Sequence, residues 1–494
     1  MKILKQLCIW ISVCGILSNT TLFAQENIGL KLGNYAGING ALLNPASTAN
    51  YPLTWEFNIA SAGAYVGTNY AYLRRQDNSF LSALQVIRSN EEIVVAGDND
   101  QIISPSDIVL EFNQGGNTRK NIYLNTMVVG PAFLIRKDQH SFGIFTRARS
   151  VISGQRIDEN LAYPDFDEVA FGNDISAQPF KVGGMSWAEI GVHYGISTDN
   201  TSIGINARYL QGYDAFFFNS NEAIEFQKLS DALGFPDGDF TYGFATNYDV
   251  ETGEYNFQKN GMGAGFDIGF EYWAGGTDDK NYLFKIGASL LDVGLIHFNQ
   301  NAQQHQLTEE NFNVIYDEFR SVNNQQEAVE LLSQQIFDNN STTYQKDNMS
   351  IWLPTSFSVQ VDVQPIKNFY LNATVMRRIR LEGPMIEHQN SLSFSGRIET
   401  RWFELIMPLT YTNDGEAGLG AACRIGPLTV GTDRLHTFVS KTDVLSTTEL
   451  NSASVYASLK VRPIDLKRKD KLHYKSNTKS SVECPKFQKK RKLF

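Results

Sequence analysis

Residues 390–402 read NSLSFSGRIETRW, and the alternation inside them decides the fold. Leu392, Phe394, Ile398 and Trp402 share one parity, while Ser391, Ser393, Ser395, Arg397, Glu399 and Arg401 share the other. Successive side chains of a strand point to opposite faces, so a period of two makes one apolar and one polar side. The segment TSFSVQVDV at 355–363 does the same, with Phe357, Val359, Val361 and Val363 opposed to Ser356, Ser358, Gln360 and Asp362. Similar alternation occurs at 188–196, 203–209, 266–272 and 455–461.

A soluble β-sandwich also alternates. Two features point away from it. First, the polar parity carries charges of both signs in mid-strand: Glu189, Arg208, Asp267, Glu271, Asp362, Arg397, Glu399 and Arg401. A water-facing barrel lumen accommodates these while the other face meets lipid. Second, the connections alternate between short and long. Segment 55–74 reads as one strand kinked near Gly63, followed by a long loop to 120, a strand, a tight turn at 137–139 and another strand. A long loop at 153–183, a tight turn at 199–200, a long excursion to 260, a GGTDDKN turn and the longest excursion at 299–350 follow, and the turn IKN joins the next pair. The later strands end near Ile379, Arg401, Thr412, Arg424, Leu435 and Val461. The count is about fourteen, and the predicted fold is an all-β transmembrane antiparallel barrel over 53–462, with short periplasmic turns and long outer loops.

The flanks are consistent with export. Residues 1–24 predict a signal peptide, with Lys2 and Lys5 before an apolar run and Ala24 at the cut. Acylation at Cys14 is disfavoured by bulky Val13 before it. No later stretch approaches the roughly 20 apolar residues of a membrane helix. Only Cys423 and Cys484 follow the signal, enough for one disulfide or two unpaired thiols but not for a disulfide framework. The net charge of −10 is uneven: residues 467–494 hold eleven Lys/Arg against two Asp/Glu, which leaves −19 for the rest. An acidic body excludes nucleic acid as the expected partner. The basic tail, 463–494, is expected on the periplasmic side as a solvated extension or an electrostatic contact.

No constellation of catalytic residues emerges. The seven histidines, at 140, 193, 297, 305, 388, 436 and 473, lack metal-site spacing, and there is no CxxC, GxSxG elbow or phosphate loop. No enzyme activity, metal or cofactor is predicted. His193, on a polar strand face with Glu189, is expected in an interior hydrogen-bond network. GMGAGFDIG at 261–269 precedes a strand and not a helix, so it fails as a dinucleotide loop. Gly261, Gly263, Gly265 and Gly269 share one parity, which suits a wall closely approached by another backbone. The segment NQQEAVELLSQQIF at 324–337 predicts a short outer helix, as a lid, a partner surface or packing on the barrel rim.

The backbone at that glycine-lined wall is expected from residues 25–52, where GINGALLNPASTANY precedes the first strand. Pro45 disfavours helix at Asn44, so 43–46 predict a firm turn that requires Leu42 and Leu43 to be buried. An N-cap leading into a short periplasmic helix is the alternative reading. GNYAGINGALLNPAS, GAGFDIGFEYW with FKIGASLLDVG, LPTSFSVQVDV and GLGAACRIGPLTVGTDRL together resemble an uncharacterised Bacteroidota family of outer-membrane β-barrels. That family is distantly similar to FadL-type transporters and to the PorV and PorP/SprF barrels of type IX secretion and gliding. The resemblance implies that Asn44, Pro45 and Ala46 belong to an N-terminal hatch, and Leu42 and Leu43, which the turn requires to be buried, are expected to share its gating role. It implies an envelope assembly or secretion accessory, embedded in outer-membrane lipid and contacting envelope or secretion proteins through its loops and tail. FadL-like uptake of hydrophobic small molecules is the alternative.

Overall fold

A computed structural model describes residues 27–74, 94–95, 109–112, 120–161, 171–230, 232–248, 255–276, 281–315, 318–322, 325–412, 417–435 and 452–463. The expected signal peptide, nearly all of the basic tail and Cys484 lie outside the described residues. Fourteen strands build the wall: β1 (Trp55–Thr68), β2 (Lys120–Lys137), β3 (His140–Ile157), β4 (Lys181–Ser197), β5 (Thr201–Ser220), β6 (Gly261–Ala274) and β7 (Phe284–Phe298), then β8 (Ser356–Ile366), β9 (Phe369–Arg378), β10 (Ser391–Glu399), β11 (Phe403–Thr412), β12 (Ala421–Ile425), β13 (Leu428–Thr432) and β14 (Ser452–Val461). Each pairs antiparallel with its chain neighbour, and β14 pairs with β1, so the sheet closes. Closure removes the unpaired strand edges that a bilayer interior would not tolerate.

Every one of the fourteen strands leaves a large apolar side chain exposed, from Phe57 on β1 through Ile190 on β4, Phe394 on β10 and Val461 on β14. Their polar neighbours point inward and are buried, among them Ser356, Ser358 and Gln360 on β8 and Ser393, Ser395 and Arg397 on β10. A sandwich would bury the apolar parity. Here the apolar faces form a continuous outer belt, as in a wall that meets lipid. Short connections gather at one end, and left-handed Asp138 (φ 55°) and Asn368 (φ 62°) turn two of them, a conformation that Asp and Asn tolerate.

The expectations for the long-loop end need correction. β1 stops at Thr68 because its neighbour β2 begins at Lys120, and Ala71–Arg74 joins Val109–Phe112 and Val94–Val95 in a separate small sheet. The 213–260 excursion is no simple loop. β5 continues to Ser220 and pairs with Leu233–Ala245, which pairs in turn along Ala302–Val314. Asp174–Ala177 and Ile224–Lys228 extend this sheet. The resulting lobe has its own core of Phe226, Phe240, Phe244, Leu307 and Phe312. Helix Gln325–Phe337 packs Val329, Leu332 and Ile336 onto that core rather than onto the barrel rim.

Candidate functional site

The lumen is filled in three layers. Nearest the short turns lies the segment preceding β1, which folds as two four-residue helices, Ile28–Lys31 and Ile38–Ala41, and a 3-10 helix, Pro45–Asn50. Asn44 is extended (φ −148°, ψ 108°), its side chain accepts the Ala46 N–H at 3.0 Å, and Pro45 opens the 3-10 helix. Asn44 caps this 3-10 helix, which lies inside the barrel against β4, β5 and β6. Leu42 packs with Met127, Val129, Ala132 and Phe145 on β2 and β3. Leu43 packs with Leu291, Met376 and Ile406 on β7, β9 and β11.

Helices this short leave most of their carbonyls without an internal donor, and the wall supplies donors from several sides. Asn206 donates to Ala41 O at 3.0 Å, Ser202 to Ala46 O at 3.0 Å and Ser289 to Leu43 O at 2.7 Å. Arg397 donates to Leu32 O at 2.9 Å, and Arg462 to Tyr35 O at 2.7 Å. Glycines of the wall make this approach possible. A Cβ at Gly204 would lie 2.3 Å from the Pro45 carbonyl carbon and oxygen, and one at Gly269 would lie 2.1 Å from Asn44 Oδ1. Of the predicted glycine row, Gly269 meets the segment, whereas Gly261 and Gly263 abut the backbone of β7.

His193 ties Thr48 of this segment to the wall. Asn206 uses its Nδ2 to donate to Ala41 O and to Asp267 Oδ2, so its Oδ1 accepts from His193 Nδ1 at 2.7 Å. The tautomer follows from that network. His193 Nε2 is then the acceptor for the Thr48 hydroxyl at 2.5 Å, and Ser141 Oγ lies 2.8 Å from Thr48 Oγ1. A hydroxyl, imidazole and amide in series is also how a nucleophile is activated. Here Thr48, His193 and Asn206 are all buried, and neither Thr48 nor His193 lines the luminal crevice described below. These hydrogen bonds tie the Thr48 side chain to β3, β4 and β5.

Above the segment lies a charge layer. Arg147 grips Glu189 through Nε and Nη2 at 2.8–3.0 Å. Arg208 bridges Asp267 Oδ1 and Asp292 Oδ1, each at 2.7 Å, and Arg149 reaches Asp292 Oδ2 at 2.8 Å while lying 4.8 Å over Trp187. Trp187 Nε1 donates to Glu189 at 2.6 Å. Three guanidinium groups thus face three carboxylates, all enclosed by protein. Asp292 is present because of a β-bulge opposite Asp267, where φ is +54° and the register shifts, so that Leu291 and Asp292 both turn inward. The third layer is apolar: Tyr65, Val151, Met185, Leu210, Phe217, Ile296, Phe298, Met349, Ile351 and Ile386 close the long-loop half.

Of the sequence-predicted charges, Glu189, Arg208 and Asp267 meet in this layer. Asp362, Arg397 and Glu399 form a second group, with Arg397 Nη2 3.0 Å from Asp362 and Glu399 accepting from Asn34 N and Nδ2 at 2.9 and 2.8 Å. Glu271 pairs with Lys285 at 3.5 Å. Arg401 is a correction: it sits in the turn after β10, half-buried, where it donates to Pro463 O and covers Trp402. The alternation continued one pair beyond the strand end. Arg147, Arg149, Asp292, and the Glu56 group with Lys460 at 3.0 Å and Tyr51 at 2.5 Å were not singled out from sequence. The parity of RARS at 147–150 was the available signal for the two arginines.

A model described as a family of unknown function (DUF5723) matches residues 45–433. No curated protein matches the chain. Solved structures similar to it include a TodX monoaromatic hydrocarbon channel mutant, with 9% identity, 86% of this chain and 94% of that chain covered, and a TM-score of 0.40. The Ralstonia pickettii toluene transporter TbuX gives 11%, 90%, 95% and 0.36, and a Pseudomonas aeruginosa FadL homologue gives 10%, 89%, 97% and 0.37.

Proposed function

The chain belongs to DUF5723, a family of unknown function, and on that premise we propose that it is a sealed, non-enzymatic outer-membrane β-barrel acting as an envelope assembly or secretion accessory. The observation that carries this reading is the lumen itself. Segment, ion-pair layer and apolar layer follow one another along the axis, and the crevice within them measures about 40 Å³. Sites for organic ligands typically offer about 300–1,000 Å³, mostly apolar; a space of about 310 Å³ beside Val128, Ile190 and Tyr209 lies on the outward face of the wall, not in the lumen. Leu42 and Leu43 support the same reading, since each is already packed on the wall.

The remaining interaction surface is at the ends. The long-loop lobe has its own packed core, and residues 213–260 and 299–350 carry seventeen Asp/Glu against four Lys/Arg. Short turns face the periplasm in barrels of this kind, so β14 would deliver the basic tail there. Both ends suit protein partners. FadL-like uptake of hydrophobic molecules is the competing reading. Equilibrium binding of toluene and of a long-chain fatty acid to the purified protein separates the two. No saturable binding is expected, and stoichiometric binding abolished by disturbing Leu42 and Leu43 would favour uptake.

A further inference from the structure

Between the luminal segment and the wall, near the short-turn end, is a polar crevice of about 40 Å³. Lys31, Gly33, Asn34 and Ser47 line it and are only half-buried, so solvent reaches it. Glu271 on β6 and Asp362 on β8 line its wall side and Asn50 its floor. Each carboxylate is half satisfied. Glu271 Oε1 faces Lys285 at 3.5 Å, and Asp362 Oδ2 accepts Tyr282 OH at 2.5 Å and Arg397 Nη2 at 3.0 Å. Glu271 Oε2, Asp362 Oδ1 and the Asn50 amide have no protein partner, although these residues are only 4%, 2% and 2% exposed.

An ionised carboxylate oxygen only accepts, so whatever satisfies these atoms must donate hydrogen bonds or be a cation. The charges of the surrounding inner wall balance: Glu271, Asp362, Glu399 and Glu404 face Lys285, Arg397 and Arg424, with Lys31 at the mouth as the fourth cation. The space exceeds the roughly 10–15 Å³ that one water needs and is far too small for a drug-sized molecule. A divalent ion would want about six to eight oxygens, and among the described residues no group of three acidic, histidine or cysteine side chains could hold a metal. An ammonium head has three N–H donors and one positive charge.

We propose that this crevice binds a primary ammonium group, entering from the short-turn side, with Glu271 Oε2 and Asp362 Oδ1 as its acceptors. The group is carried by a small amine or by a lysine side chain. The site does not depend on the sealed-barrel reading, since its ligand enters and leaves by the same mouth.

The test is calorimetric titration of the full chain in detergent with methylammonium, Nα-acetyl-lysine amide, tetramethylammonium and sodium. One saturable site for methylammonium or the lysine derivative is expected, with tetramethylammonium and sodium silent. Glu271→Gln and Asp362→Asn should each weaken it about tenfold or more, as loss of a charge-assisted bond does. Tighter binding of the lysine derivative assigns the site to a polypeptide side chain, and tighter methylammonium to a free amine. No saturable binding, equal binding of sodium or tetramethylammonium, or indifference to both substitutions overturns the proposal. Should one variant lose its heat-modifiable migration, the other and the wild-type ion series still decide.

Discussion

Arg208 holds Asp267 and Asp292 together from the centre of the wall, and removing its charge leaves two enclosed carboxylates that share the remaining arginines. Breaking a buried pair in this way costs about 3–5 kcal/mol. Arg208→Leu is therefore predicted to lower the unfolding free energy of the barrel by that amount, read as a shift of the midpoint to lower urea in a tryptophan-fluorescence titration, and an unchanged midpoint would contradict the layer's structural role. Gly204→Val acts on geometry instead, driving a side chain into the Pro45 backbone, with an expected cost of about 1–3 kcal/mol from overpacking. Its signature is faster cleavage of the segment by protease added at the short-turn side. Arg208 and Asp267 were legible in the sequence from strand parity alone. Asp292 was not, because parity places it on the lipid side, and only the bulge opposite Asp267 turns it inward. Arg401 fails for the converse reason: parity carries no signal for where a strand stops.

The outer lobe continues the sheet of β5 beyond the wall and carries its own aromatic core, and it is predicted to unfold separately from the barrel. Phe240 is buried in its aromatic core, so Phe240→Ala should cost the lobe about 3–5 kcal/mol. The lobe should then be cut by protease while the barrel keeps its heat-modifiable migration; loss of both would mean that the lobe and wall fold as one. His305, on the lobe beyond the wall, stacks 5.2 Å from Tyr242 and is pushed down to about 4 by burial. An unfolded histidine titrates near about 6.5, so the unfolded lobe binds more protons between those values. Lobe stability should be full above about 6.5, fall as pH drops towards 4 and level off below it. Limited proteolysis across that range checks the sign, and His305→Gln should flatten the profile. The helix at 325–337 was readable from its spacing. The lobe sheet was not, since Phe240, Tyr242 and Phe244 alternate like any wall strand while pairing with Ala302–Val314 across some sixty residues of sequence.

At the scale of the whole molecule, the strand count, closure and inside-out polarity followed from alternation and loop lengths, because both are local properties of the chain. What fills the lumen depends on contacts over hundreds of residues, such as Asn44 with Gln360 at 3.0 Å and Asn39 with Ser458 at 3.4 Å, which no local period encodes. Through those contacts the barrel is closed by its own side chains and its own N-terminal segment. Single-channel recording in a planar bilayer probes this closure, on the full chain and on a chain lacking residues 27–51. The full chain should be electrically silent, and the deletion should still insert and remain silent or open only small, flickering steps, because the ion-pair and apolar layers stay in place. Steady channels from the intact protein would contradict the account.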